Sequence, residues 1–140
     1  MGHCGHRFDQ LFFSFLQPPG LVTVGGYVFA VGGKRFSRSE LCRYTIGRYN
    51  PNTDTFQLVE TMSDNRNNSS IVTLHGLMYF IDPCRVHKYN TETSVWTEVA
   101  PTMSCRYNAT ACTLKGKIYV IGMSSDGKKY YILVYLKCQK

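Results

Sequence analysis

The sequence predicts an all-β fold assembled from repeated four-stranded antiparallel sheets, and three observations carry that prediction. The segment from Tyr49 realigns with itself forty positions later. The apolar runs are short and rich in β-branched and aromatic residues, and clusters of Gly, Asn or Asp separate them. Runs of that kind suit a pleated, half-buried surface and the clusters suit tight turns. No stretch carries helical periodicity.

The repeat is specific. Tyr49 and Asn50 fall on Tyr89 and Asn90, Thr53 on Thr93, Phe56 on Trp96 and Val59 on Val99. After a one-residue slip around Met62 and Met103, Arg66 meets Arg106, Thr73-Leu74 meets Thr113-Leu114, Gly76 meets Gly116 and Tyr79 meets Tyr119. A third copy, Leu21 to Phe29, lies fifty positions before Ile71 to Tyr79. The ten additional residues fall between Gly33 and Tyr44, in the basic, serine-bearing stretch Lys34 to Glu40, which is expected to be an exposed loop.

Each copy reads strand, tight turn, strand, loop, strand, turn, strand. Strands are expected near 20–24, 27–31, 44–49 and 55–60, then 69–74, 77–81, 85–89 and 95–99, then 109–114, 117–121 and 131–136. His75-Gly76 and Lys115-Gly116 place Gly second in a two-residue connection, where a type I′ hairpin needs a positive φ. Asn50 to Asp54 and Asn90 to Thr93 form the other turn of their copies, and Pro51 holds a φ suited to it. The predicted organisation is an unassigned leader over 1–19, a first repeat over 20–67, a second over 68–108 and a partial third over 109–140.

Four-stranded units of about 40–50 residues are the blades of a propeller, in which each sheet buries both faces against its neighbours. Tyr27 to Gly33, Gly47 to Pro51, Met62 and Arg66 resemble the kelch motif, with its double glycine (Gly32-Gly33), its Tyr closing the third strand (Tyr49, Tyr89) and its aromatic in the fourth (Phe56, Trp96). Arg66 and Arg106 open successive units, and the Trp-Asp ending of the alternative repeat type is absent. The double glycine is replaced by Asp82-Pro83 in the second copy and by Gly122-Met123 in the third, which reduces backbone freedom at those corners. The large aromatics are read as core anchors between blades. Because closed propellers hold about four to eight blades, fewer than three make this an incomplete kelch propeller, a fragment or truncation that is not expected to be stable alone.

Composition bounds the remaining possibilities. With 44% hydrophobic and 18% charged residues the 140-residue chain is an ordinary globular domain. Leu11 to Leu16 is far short of the roughly 20 apolar residues that span a bilayer, and Gln17-Pro18-Pro19 follows where a signal peptide would be cleaved. A cytoplasmic location is expected. The cysteines at 4, 42, 84, 105, 112 and 138 form no CxxC pair and are expected to be free thiols, and the sequons at Asn67, Asn68 and Asn108 to be unused. Net charge is +7, yet no basic run exceeds two residues, so acidic proteins suit it better than nucleic acid.

No catalytic constellation emerges. His3, Cys4 and His6 lack the separated second ligand pair of a structural zinc site, and His75 and His87 have no Ser or Cys nucleophile at a recognisable spacing. No metal or cofactor is expected. The chain is read as a non-enzyme whose function is recognition, because blades hold variable loops on a rigid scaffold.

The resemblance implies where a partner would bind. In kelch propellers fused to BTB and BACK domains, peptides meet the loop after the double glycine and the residue after the Arg that opens the next blade. By position these are Arg35, Arg38 and Arg43, then Arg85, then Lys128 and Lys129, with Asn67 and Tyr107 following Arg66 and Arg106. Their cations suit an acidic peptide. The resemblance implies a substrate-recognition role in a cullin-RING ubiquitin ligase of the cullin-3 type, with cullin contact through a BTB domain that these 140 residues do not contain. Actin or cytoskeletal binding and a viral kelch-like protein are the other interaction readings, and a fragment of a kelch-propeller oxidase is the enzymatic rival.

Overall fold

The structure, a computed structural model, describes residues 20–37, 40–62, 70–82, 84–99 and 107–135. Among these residues there is no helix. Eleven strands form three antiparallel sheets of four, four and three strands. The first sheet holds β1 (Gly20–Val24), β2 (Tyr27–Ser37), β3 (Glu40–Asn50) and β4 (Thr55–Met62), paired in chain order. The second holds β5 (Ser70–Leu74), β6 (Leu77–Ile81), β7 (Val86–Asn90) and β8 (Val95–Val99), and the third holds β9 (Tyr107–Leu114), β10 (Lys117–Met123) and β11 (Tyr130–Tyr135). All-β architecture and the division into four, four and three strands match the sequence reading, and the sheets are those of an incomplete propeller.

Turn chemistry fixes the inner hairpins. Gly25 and Gly26, His75 and Gly76, and Lys115 and Gly116 have φ of 57° and 81°, 50° and 74°, and 48° and 70°. Two consecutive positive φ values define the type I′ turn, whose twist matches that of the strands it joins. In the outer hairpins the side chain of Asn50 accepts from the Asn52 N–H at 2.9 Å, and that of Asn90 from the Glu92 and Thr93 N–H groups at 2.9 and 3.2 Å. These Asx turns fold the chain back locally.

Two expectations are corrected here. The basic stretch between Gly33 and Tyr44 is not a loop: β2 and β3 run through it as a long hairpin in which Arg35 faces Arg43 and Ser37 faces Glu40. Register shifts on either side of Arg35 absorb the inserted residues while keeping the ladder. The cysteines are not all free thiols either. Cys84 is disulfide-bonded, with a partner outside the described side chains, whereas Cys112 is free and exposed. Spacing could not reveal that bond, because the distance between two cysteines in space follows from how the sheets stack.

Strand alternation divides each sheet into two faces, and the middle sheet buries both. Met78, Phe80 and Tyr89 pack against Phe29, Val31 and Ile46 of the first sheet. Their alternates Tyr79, Ile81 and Val86, with Val72 and Leu74, pack against Ile118 and Val120 of the third. β6 is therefore almost continuously apolar (Leu77-Met78-Tyr79-Phe80-Ile81), the pattern of a strand covered on both sides. The inner strands β1 and β5, and β5 and β9, lie against one another. Gly20 makes room for Ile71 of the neighbouring strand: a Cβ there would lie 2.5 Å from Ile71 Cγ2.

Candidate functional site

Each sheet begins on its inner strand and zigzags outward, so its first-to-second turn and, in the two four-stranded sheets, its third-to-fourth turn share one end. Its central corner lies at the other end. Those of the residues singled out for binding that the structure describes lie at that second end. Arg35 and Arg43 are cross-strand partners in the β2–β3 hairpin, and Arg85 is exposed in the corner between β6 and β7. Lys128 and Lys129 are exposed before β11, and Tyr107 pairs with Met123 beside that corner. Arg38, Arg66, Asn67 and Arg106 lie outside the described residues, as do His3, Cys4 and His6.

The corners are built differently. At Gly32 φ is 94° and the register shifts between Gly32 and Arg35, so the glycine bends β2 where a side chain would be strained. A comparable shift brackets Gly122 in β10. In the second sheet β6 stops at Ile81, and the Asp82 N–H donates to the Arg85 carbonyl at 2.8 Å, closing a short turn. The third corner is tied down by polar groups: the Ser124 N–H donates to the Lys129 carbonyl at 2.8 Å, and the Lys129 N–H donates to Ser124 Oγ at 3.2 Å. Ser124 Oγ also donates to Asp126 Oδ1, which accepts from the Lys128 N–H at 3.1 Å. The Ser124 bond, followed by that backbone bond, holds the Asp126 carboxyl below its usual range. The two lysines thus project from an ordered turn.

Two carboxylates stand beside His87 at this end, and the sequence reading missed them. His87 Nδ1 lies 3.7 Å from Asp82 Oδ2, and its Nε2 lies 3.9 Å from Glu98 Oε2. Glu98 stands directly across from His87 in the β7–β8 ladder. Strand register alone could have found that pair, because residues opposite one another share a face. His75 lies in a turn at the opposite end and is exposed, so the two histidines do not meet.

The motif aromatics take the positions the repeat implies. Tyr49 faces Phe56 across β3–β4, and Tyr89 faces Trp96 across β7–β8. Trp96 contacts Tyr89 and Phe80 with ring centroids 4.7 and 4.9 Å apart, and its Nε1 donates to Glu60 Oε2 of the first sheet at 3.2 Å. It is an inter-sheet anchor. Phe56 occupies the matching position but lies over Gly47 of its own sheet, on the face turned away from the second. Tyr49 donates to Asp54 at 2.8 Å, whereas buried Tyr89 Oη has no partner at hydrogen-bonding distance and angle. Burial, the largest cause, and the Glu60 carboxylate push the Tyr89 phenol above its usual range, against a lowering by Ser94.

No family model matches the chain. Among curated proteins it is 30% identical over 104 residues to Kelch repeat and BTB domain-containing protein 2 of Homo sapiens, covering 74% of this chain and 16% of that protein. It is 32% identical over 129 residues to Kelch-like protein 21 of Danio rerio, covering 86% of this chain and 19% of that one. The chain resembles the kelch-repeat family. It spans less than a fifth of the length of these relatives. The kelch-repeat relatives support a protein-interaction module. No helix among the described residues is long and apolar enough to cross a membrane.

Proposed function

We propose that the chain is a protein-interaction module that receives an acidic peptide segment at the end bearing Arg35, Arg43, Arg85, Lys128 and Lys129, with Tyr107 beside the corner that bears the lysines and with Arg38 and Asn67 added by their sequence positions alone. The observation that carries this reading is the register of the β2–β3 hairpin, which sets Arg35 directly opposite Arg43. Like charges in facing positions oppose pairing, and an acidic group between them would reverse the sign of that interaction. Exposed Arg85, Lys128 and Lys129 extend the same charge across the other two sheets. Within a longer kelch protein the module would select substrates for a cullin-RING ubiquitin ligase, cullin being engaged by a separate BTB domain.

The test is affinity capture followed by direct titration with the captured acidic segment. Wild type is compared with Arg35→Ala/Arg43→Ala/Arg85→Ala and with His75→Ala at the opposite end. The triple variant should bind at least tenfold more weakly, and wild-type binding should weaken as salt is raised. Binding lost in the histidine variant and retained in the triple variant would move the site to the other end of the sheets. Capture of cullin with a BTB-bearing parent, and not without it, would support the ligase role.

A further inference from the structure

We propose that Asp82, His87 and Glu98 form a pH-sensitive clamp, in which a protonated His87 bridges the two carboxylates and ties the β6–β7 corner, with its exposed Arg85, to the outer strand β8. The clamp stands apart from the acidic-peptide reading, and only its effect on capture rests on that reading.

Strand register brings the three groups together. His87 lies opposite Phe80 across β6–β7 and opposite Glu98 across β7–β8. Asp82 follows the last residue of β6 and opens the turn in which its N–H donates to the Arg85 carbonyl. One carboxylate therefore stands at each ring nitrogen, Asp82 Oδ2 3.7 Å from Nδ1 and Glu98 Oε2 3.9 Å from Nε2. A neutral imidazole carries a single N–H, so it donates toward one carboxylate and turns a lone pair toward the other; the protonated ring has an N–H for each. Closing either contact to hydrogen-bonding length takes a movement of about 0.5–1 Å. The Glu98 side chain, 55% exposed, has room to make it.

Burial of a ring only 14% exposed works against its charge, and a carboxylate at each nitrogen works for it. With the Glu98 side open to water, the carboxylates prevail. The clamp is closed where His87 is charged and opens as pH rises through its titration. Alternation places His87 on the face shared with Tyr89, turned toward the first sheet, where Glu60 is held by Trp96 Nε1. Arg48 of β3 lies toward the other end, over the Tyr27 ring, and Lys88 occupies the opposite face of β7. Arg35 and Arg43 pair in the β2–β3 hairpin at the same end as His87, and Arg85 is exposed in the corner itself.

Protonation takes the three groups from two negative charges to one while it fixes the corner from which Arg85 projects. Both changes favour an acidic partner, so capture should strengthen as pH falls toward about 6.

Imidazole proton shifts followed by NMR test the clamp in the 140-residue chain, with exposed His75 at the opposite end as the internal control and His87→Gln to assign the signal. Asp82→Asn and Glu98→Gln should each move the His87 midpoint to lower pH, the first by more because Asp82 is nearer and less exposed, and both should leave His75 unmoved. Protection of the Asp82 amide against hydrogen exchange, corrected for the intrinsic pH dependence, should rise about two- to fivefold between about pH 8 and about pH 5.5, the effect of a partly exposed ion pair. In His87→Gln that rise should vanish. A midpoint moved by Asp82→Asn alone would overturn the bridge, and Asp82 protection that is equal at both pH values would overturn the clamp. If His87→Gln loses strand content by circular dichroism, Glu98→Gln carries the exchange measurement, with a reduced rise expected. Capture that fails at every pH while the midpoints and protection behave as stated would count against the acidic-peptide reading and leave the clamp standing.

Discussion

Trp96 joins the second sheet to the first by ring contact and by a hydrogen bond, and substitution can separate the two. Trp96→Phe keeps an aromatic ring against Phe80 and Tyr89 but removes the N–H that reaches Glu60. A hydrogen bond to a charged group contributes about 1.5–3 kcal/mol, and the 3.2 Å length with partial burial argues for the lower end, about 1.5 kcal/mol. Trp96→Ala also removes two aromatic pairs, each worth about 0.5–1.5 kcal/mol beyond the apolar area lost, for a total of about 3–5 kcal/mol. Urea unfolding at fixed protein concentration measures both, the concentration being held because assembly shifts apparent stability. A double-mutant cycle with Glu60→Ala should return a coupling of about 1–2 kcal/mol between Trp96 and Glu60. Coupling below about 0.3 kcal/mol would show that the bond contributes nothing. A Trp96→Ala cost under about 1 kcal/mol would refute the anchoring role altogether.

Gly20→Ala should destabilise the chain by about 1–3 kcal/mol, because the new Cβ would sit 2.5 Å from a branched atom of Ile71 that has little freedom to move; a neutral effect in the same urea assay would show that β1 and β5 are not in close contact. Tyr89→Phe should be neutral or stabilising, since it removes a buried hydroxyl that makes no hydrogen bond, whereas Tyr49→Phe should cost about 0.5–1.5 kcal/mol through loss of the Asp54 bond. With the folded phenol of Tyr89 raised above its unfolded value, its contribution is complete below the ordinary value of about 10 and is lost as pH rises through the folded value. Melts above about pH 10 should therefore fall more steeply for wild type than for Tyr89→Phe. Glu60→Gln should move the phenolate absorbance titration of Tyr89 to lower pH, and an unmoved curve would remove Glu60 from its surroundings.

Local sequence determined the parts whose physics is local. Two-residue turns with Gly second dictated the inner hairpins, as the positive φ of His75-Gly76 and Lys115-Gly116 bears out, and the forty-residue offset dictated that Trp96 and Phe56 occupy matching places. Tertiary structure decided what those places do. Trp96 has a sheet against it and reaches Glu60, while Phe56 lies over Gly47 of its own sheet. The basic insertion looked like a loop because charged and Ser residues hide strand alternation. Pairing of β2 with β3 extends through it regardless, since backbone hydrogen bonds need a facing strand and no particular side chain. Glu60 escaped the sequence reading because its value lies in an indole thirty-six residues away, and Cys84 because a disulfide depends on the meeting of segments distant in sequence. Periodicity along a chain specifies which face of a strand is apolar; only the stacking of sheets specifies which neighbour that face meets.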